Sequence, residues 1–114
     1  MRDFSRDYRE WLDNLNPYDF IWDMNGHSQH RDPYLMDIKI GDVDFTYLAI
    51  NNTVDDKGDI IYRFMFQSNK PFKEGFDNVT VYPLLYIGVK SHYTKSGKFE
   101  PSIIKTGFYK TEFV

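Results

Sequence analysis

The chain has 114 residues, 18% of them aromatic, a net charge of −3 and no cysteine. This length supports one hydrophobic core, so we predict one domain spanning residues 1–114. The lack of cysteine excludes disulfides, thiolate metal ligands and cysteine nucleophiles. Because no apolar run reaches signal-peptide or bilayer length, we expect a cytoplasmic protein that makes no membrane contact.

The first predicted element is an amphipathic helix. Its apolar residues recur at the spacing of one helical face: Phe4, Tyr8, Trp11, Leu12 and Leu15. Proline cannot continue a helix, so the helix should end before Pro17. Residues 17–24 fit either a second short helix or a strand. Gly26 and Pro33 then indicate a loop from Asn25 to Pro33.

From Tyr34 onward the apolar period changes to two, which is typical of strands. Residues 34–40 and 43–49 alternate on either side of Gly41–Asp42, and this pattern predicts a tight hairpin. The polar residues 51–59 predict the next turn. Residues 60–68 follow as a strand with one strongly apolar face.

The remainder of the chain is also predicted to be mostly strand. Residues 69–78 are polar and predict a longer loop, and residues 79–93 form the longest strand-like run. Pro83 lies inside that run and indicates an edge position or a bulge, because proline cannot donate to a β-ladder. Residues 101–114 predict a last strand or a bent pair with the bend at Gly107.

These elements together predict an α+β fold. Consecutive strands joined by short turns usually pair as neighbours, so we expect an antiparallel meander of about five strands. The N-terminal helix would pack over one face of this sheet. Strong bending would turn the sheet into a half-barrel.

Two histidines in an H-x-x-H spacing raise the question of a metal site. Zinc requires three or four converging ligands, and His27 and His30 with Asp23 or Asp32 could provide them. The spacing differs from that of metalloprotease helices, and glycine and proline place the segment on a loop. We therefore interpret it as a polar loop and predict no metal site.

A second enzymatic interpretation rests on the triplet Asp37-Ile38-Lys39. It is similar to the acid-x-lysine core of restriction-type metal nucleases, in which a carboxylate holds Mg²⁺ and a lysine orients water. This alternative, a small metal-dependent nuclease or hydrolase, would use Asp23, His27, His30 or Asp37. The chain has no phosphate-binding loop and no nucleophile elbow, so we predict a protein that is not an enzyme and needs no cofactor.

The C-terminal half interleaves basic and aromatic residues, a pattern typical of surfaces that bind single-stranded nucleic acid. These residues are Lys90, Lys95, Lys98, Lys105 and Lys110 with His92, Tyr93, Phe99, Phe108 and Tyr109. A nucleic-acid-binding accessory protein is therefore another alternative. We do not expect direct nucleic-acid binding, because the acidic chain would repel a polyanion and edge lysines also guard against sheet aggregation.

Charge divides the chain into two unlike halves. Residues 1–60 carry 13 acidic and 6 basic residues, and residues 61–114 carry 4 acidic and 8 basic residues. The predicted partner-binding residues are Trp22, Asp23, Asp42, Asp44, Asp55, Asp56 and Asp59. Five of these aspartates lie at two hairpin turns that we expect to project from the same end of the sheet, where they would face a basic protein surface.

In class, size and composition the chain resembles small cysteine-free inhibitors encoded by phages and mobile elements, including anti-CRISPR proteins. It also resembles immunity proteins that neutralise nuclease toxins. This resemblance of type and the acidic half together predict a noncatalytic inhibitor that blocks a basic, nucleic-acid-binding site on a partner enzyme. The surplus of aromatic residues also allows a homodimer.

Overall fold

The computed structural model describes residues 4–74, 79–109 and 112–113. Within them the chain forms one α-helix, ten strands and two 3₁₀ turns. The elements are α1 Phe4–Asp13, the turn Pro17–Asp19, β1 Ile21–Met24, β2 His27–His30, the turn Pro33–Leu35, β3 Ile38–Ile40, β4 Val43–Val54, β5 Ile60–Ser68, β6 Phe72–Glu74, β7 Val79–Val81, β8 Leu84–Ser91, β9 Ser102–Tyr109 and β10 Glu112–Phe113.

The main sheet has five antiparallel strands in the order β3-β4-β5-β8-β9. This is a meander whose strands follow one another in sequence, except that β6 and β7 are inserted between β5 and β8. The inserted strands pair with β10 in a three-stranded sheet, and β1 pairs with β2 as a separate hairpin. The predicted meander is confirmed, and the fold is mainly β with one short N-terminal helix.

Two bulges accompany the bend that makes the main sheet a half-barrel. The pairing of β4 with β5 shifts between Tyr47 and Ala49, and that of β8 with β9 shifts between Gly88 and Val89. An extra residue in one strand bends that strand and increases its twist. The sheet therefore has a concave face that α1 and the β1–β2 hairpin cover, and an open face.

The hydrophobic core lies against the concave face. Alternate residues of the central strands point into it, as the period of two predicts: Tyr62, Phe64 and Phe66 from β5, and Leu85, Ile87 and Val89 from β8. Phe20 and Ile21 cover these residues from the other side. Burial of each large apolar side chain stabilises the fold by about 1.5–3 kcal/mol.

Helix α1 packs by its predicted apolar face. The rings of Phe4 and Tyr8 lie 5.7 Å and 4.8 Å from the ring of Phe108, between centroids. The hydroxyl of Tyr8 also donates to Oγ1 of Thr106 at 2.9 Å. The helix ends at Asp13, before Pro17, so the prediction for this segment is confirmed.

Two predictions for the second half of the chain are wrong. Residues 69–78 are not only loop, because they include β6, which pairs with β7. The run 79–93 is not one strand, because Tyr82 and Pro83 divide it into β7 and β8. Pro83 is neither at an edge nor in a bulge. It precedes a central strand, and its carbonyl accepts from the N–H of Ser68 at 3.0 Å.

Three other segments differ from expectation. The predicted loop from Asn25 to Pro33 contains β2 and the turn that joins it to β1, and this turn has positive φ values of 53° at Asn25 and 87° at Gly26. Residues 33–35 form a 3₁₀ turn in place of the expected strand, because Asp32 caps the turn and accepts from the N–H of Tyr34. Gly107 lies within β9, opposite Tyr86, and does not end the strand.

We expect Gly41→Ala to lower the free energy of unfolding by about 2–3 kcal/mol. Gly41 has φ 63°, and a left-handed backbone costs a non-glycine residue about 1–2 kcal/mol. Its added Cβ would lie 3.0 Å from Cγ of Asp7, and such crowding adds about 1 kcal/mol. Chemical denaturation measures this loss. The control is Gly97→Ala, where φ is also positive but no atom lies within 4 Å of the added Cβ. An equal loss of unfolding free energy in this control would show that crowding against Asp7 adds nothing to the cost of Gly41→Ala.

Candidate protein-binding groove

A groove of about 690 Å³ opens between the end of α1, the β1–β2 hairpin and the segment that leads into β3. Residues distant in sequence meet there because the helix and the hairpin both pack on the concave face of the main sheet. The apolar part of its lining comprises Trp11, Leu15, Phe20, Trp22, Leu35, Met36 and Ile38. The groove is therefore apolar at its centre.

Aromatic packing holds the groove in a fixed shape. Phe20 lies in its floor, and its ring is 5.3 Å from the ring of Phe64 in the core. Trp11 stacks on Tyr8 with 5.8 Å between ring centroids and 25° between planes. Because both residues are anchored by neighbours, the site is largely preformed, as is usual for binding sites.

Two large apolar side chains of the groove remain open to solvent. Leu35 is 82% exposed and Trp22 is 37% exposed. Leu35 is held outward by the 3₁₀ turn Pro33–Leu35, which Asp32 caps. Covering such side chains with a partner is favourable by about 25 cal/mol per Å² of apolar surface removed from water. Leu35 and Trp22 thus have the properties of interface anchors.

Carboxylates outnumber cations in the groove. Asp19, Asp32 and Asp37 line it together with a single cation, Arg31. The guanidinium of Arg31 is oriented by its Nε, which donates to the carbonyl of Tyr18 at 3.0 Å. Within the described part of the chain none of these three aspartates forms an ion pair. The lining of the groove therefore carries a surplus of negative charge.

The aspartates predicted for partner binding lie at two separated turns. Asp42 and Asp44 are at the start of β4, and Asp55, Asp56 and Asp59 follow its end. The 12 residues of β4 span roughly 40 Å at the rise of a strand. The prediction that both turns project from the same end is wrong, because successive turns of a meander alternate between ends. Asp42 instead lies 3.7 Å from Nζ of Lys70.

At the second turn the carboxylates are engaged within the molecule. Asp55 accepts from the N–H groups of Asp59 and Lys57, both at 2.9 Å, and these bonds with Lys90 hold the pKa of Asp55 below its usual range. Lys90 bridges Asp55 and Asp59 at 3.3 and 3.4 Å. Asp59 also contacts Nδ1 of His92 at 3.1 Å. Asp55 and Asp59 therefore stabilise the turn, whereas Asp56 is exposed.

Trp22 and Asp23 lie side by side on β1 but belong to different sites. Successive strand residues face opposite sides, so Trp22 enters the groove and Asp23 points away from it. Asp23 accepts from the hydroxyl of Tyr93 at 2.6 Å and from the N–H of Gly26 at 3.1 Å. Of the predicted partner-binding residues, only Trp22 lines the groove.

We expect the protein to lose stability at alkaline pH through Tyr93. Burial raises the pKa of Tyr93, and its hydrogen bond to Asp23 raises it further. Because the pKa of Tyr93 is higher in the folded state than in the unfolded state, the neutral side chain stabilises the fold. This contribution to the free energy of unfolding is complete below the ordinary tyrosine pKa of about 10 and is lost as the pH rises further. The carboxylate of Asp55 likewise raises the pKa of Lys90, which acts in the same direction.

Urea denaturation between about pH 8 and 11.5 tests this expectation. The free energy of unfolding should fall above about pH 10, and the fall should be shallower in Tyr93→Phe, which cannot ionise. The variant should also be somewhat less stable at pH 8, because Asp23 loses a hydrogen-bond donor. An equally steep fall in both proteins would contradict the role of Tyr93.

The candidate metal ligands do not come together. His27 and His30 are three residues apart on β2 and so face opposite sides of the strand. His30 lines the groove with Asp37, while His27 lies beside Asp59 in a separate depression. No three His, Asp or Glu side chains of the described residues are placed to share one metal ion.

The basic and aromatic residues of the C-terminal half also separate. Lys90 is paired with two aspartates, and Phe108 packs against the core. Lys105 and Tyr109 lie on the open face of the main sheet. Lys110 is outside the described residues. The single continuous surface that the sequence pattern indicated therefore does not form.

No family model, curated protein or solved structure matches this chain. None of the helices in the described ranges is long and apolar enough to cross a membrane.

Proposed function

We propose that this protein is a noncatalytic binding domain whose groove holds a basic segment of a partner protein. The observation that carries the proposal is the combination of exposed apolar anchors, Leu35 and Trp22, with a surplus of carboxylates around them. Tryptophan in a central pocket is typical of residues that dominate binding energy. A segment with apolar and basic side chains complements both properties.

An arginine of the partner is the side chain best matched to this groove. Its planar guanidinium can stack on the indole of Trp22, a contact of about 0.5–2 kcal/mol depending on desolvation. It can also bind a carboxylate such as Asp19 or Asp37 in a bidentate manner. Apolar neighbours in the same segment would cover Leu35.

The protein would inhibit its partner if the basic segment held in the groove belongs to the partner's nucleic-acid-binding site. Enzymes that act on nucleic acids bind phosphates through lysine and arginine, which are the residues the groove selects. Occupying them would exclude the phosphate backbone by direct competition. Binding should weaken as salt rises, because charge steering is screened beyond about 10 Å at 0.1 M.

Selection from a random peptide library displayed on phage tests the chemistry of the groove. We expect immobilised protein to enrich sequences with arginine or lysine beside large apolar residues. The double variant Trp22→Ala/Leu35→Ala should enrich none of them, whereas the control Leu48→Ala, at an exposed leucine outside the groove, should enrich the same set. Enrichment of acidic sequences, or retention by the double variant, would refute the proposal.

Site-specific crosslinking then tests inhibition. A photoreactive phenylalanine placed at position 35 should form a covalent adduct with one protein in the source cells, and the same group placed at position 48 should not. The purified adduct partner should lose its nucleic-acid activity when the wild-type protein is added, and recover it at high salt. A partner whose activity is unaffected would exclude the inhibitor function while leaving the groove as a binding site.

A further inference from the structure

The open face of the main sheet carries a second, smaller pocket, on the side away from the core. It has a volume of about 180 Å³, and the buried Gly88 lies at its bottom. The register places Gly88 between two cations, because Arg63 of β5 and Lys105 of β9 are its direct partners on either side. A row of cation, glycine and cation therefore crosses three strands.

The geometry of the sheet allows the two cations of this row to approach the same point above Gly88. Neighbouring strands lie about 4.8 Å apart, so the backbones of Arg63 and Lys105 are roughly 10 Å apart. Long side chains can converge over that distance on a group seated above Gly88, which has no side chain of its own. The bulge at Gly88 and Val89 leaves Ile104 unpaired, and Ile104 lines the pocket beside Lys105.

The charges of the pocket are unbalanced. Arg63 and Lys105 are its two cations, and no carboxylate lines it. Neither cation forms an ion pair with any residue in the described part of the chain. Lys105 instead places Nζ 5.6 Å from the ring centroid of Tyr86. An oxyanion between the two cations would form charge-assisted hydrogen bonds with both.

Aromatic rings adjoin this anion pocket. Tyr86 and Tyr109 have ring centroids 4.6 Å apart at an angle of 33°, and Tyr109 is 54% exposed. Tyrosines on an open sheet face beside cations are the arrangement that stacks the bases of single strands while cations bind the backbone.

We propose that this face binds single-stranded nucleic acid, with a phosphate above Gly88 between Arg63 and Lys105 and a base on Tyr109. The pocket is smaller than the roughly 300–1,000 Å³ of sites that enclose a whole small molecule, so it suits one phosphate of a longer ligand lying across the sheet. A second copy of the chain fits less well, because a twofold axis through the pocket would bring its like charges together. The inference is independent of the groove.

Fluorescence anisotropy with a labelled 12-nucleotide oligothymidine at low salt tests the proposal. We expect binding that Arg63→Gln/Lys105→Gln weakens at least about tenfold, since each phosphate contact contributes a counterion-release term. Tyr109→Ala should weaken it by about tenfold through lost stacking. The matched control Lys95→Gln/Lys98→Gln also removes two charges, from an exposed turn outside the pocket, and should weaken binding much less.

The variant Gly88→Ala distinguishes a phosphate bound directly above Gly88 from nonspecific attraction between the cations and the nucleic acid. The added Cβ would make only ordinary contacts of 3.5–3.6 Å with Ile104 and Lys105, so the fold and melting temperature should be kept. It would occupy the phosphate position and should weaken binding as much as loss of both cations. Unchanged binding in Gly88→Ala, no binding by the wild type, or equal displacement by polyglutamate would each overturn the proposal.

Discussion

Phe64→Ala is expected to lower the free energy of unfolding by about 3–5 kcal/mol, the cost typical of deleting a buried phenylalanine side chain. Phe64 is fully buried at the centre of β5. Its ring packs against Phe20 at 5.3 Å and meets the ring of His30 edge-on at 6.4 Å. The cavity would therefore remove support from both the core and the floor of the groove.

Met65→Ala is the matched control for this variant. Met65 is the next residue of the same strand but faces the open side, where it is only half-buried. We expect it to cost about 1 kcal/mol, within the range of ordinary substitutions. Urea denaturation monitored by tryptophan fluorescence measures both losses. Equal losses in the two variants would contradict the assignment of the concave face as the core.

Trp22→Ala is expected to raise the dissociation constant of a groove-binding peptide by roughly 30-fold, the equivalent of a 2 kcal/mol interface anchor. Some stability should also be lost, because Trp22 is only 37% exposed, although β1 keeps its pairing with β2. Affinities are therefore compared under conditions in which urea denaturation shows that both proteins are fully folded. The peptide is taken from those that the immobilised wild-type protein enriches in the phage-display selection. Its dissociation constant is measured by isothermal titration calorimetry at two salt concentrations.

Asp37→Asn provides a second and independent measurement on the same peptide. It leaves the shape of the groove nearly unchanged and removes one negative charge, so we expect a smaller loss of affinity that disappears at high salt. Asp56→Asn removes the same charge from an exposed turn beyond the far end of β4 and should have no effect. If Asp56→Asn weakened binding and Asp37→Asn did not, the acidic contact would lie at that turn and not in the groove.

Local patterns were sufficient to predict the parts of the fold in which neighbouring residues determine the structure. The spacing of Phe4, Tyr8 and Trp11 specifies one helical face, and all three residues pack on the core. Gly41 between two alternating segments specifies a hairpin, and β3 and β4 form it. The alternation in residues 60–68 specifies which face of β5 is buried.

Other parts of the fold were missed although a local signal was present. Asn25-Gly26 is a strong signal for a two-residue hairpin turn, whereas the loop prediction takes Gly26 and Pro33 only as residues that interrupt regular structure. Pro83 was placed inside a strand, whereas it marks the point at which the chain enters the main sheet. At Pro83, therefore, the predicted position of the proline relative to the strand is wrong.

The groove could not be predicted from sequence in the same way. Trp11, Trp22 and Leu35 are separated by more than ten residues each and meet only through tertiary packing. The sequence predicts that carboxylates at the turns face a basic partner surface, but Asp55 accepts from backbone N–H groups, and Asp55 and Asp59 both pair with Lys90. Aspartate favours turns for this local reason. Only Trp22 was assigned to partner binding and also lies in the groove.

The β1–β2 hairpin links the groove to a hydrogen bond on the other side of the hairpin, and this bond can be used to detect ligand binding. Trp22 inside the groove and Asp23 against the hydroxyl of Tyr93 are adjacent on one short strand, so any tilt of that strand on ligand entry changes the 2.6 Å contact on its far side. A fluorinated tyrosine at position 93 would register occupancy of the groove as a shifted resonance, with no label near the ligand itself.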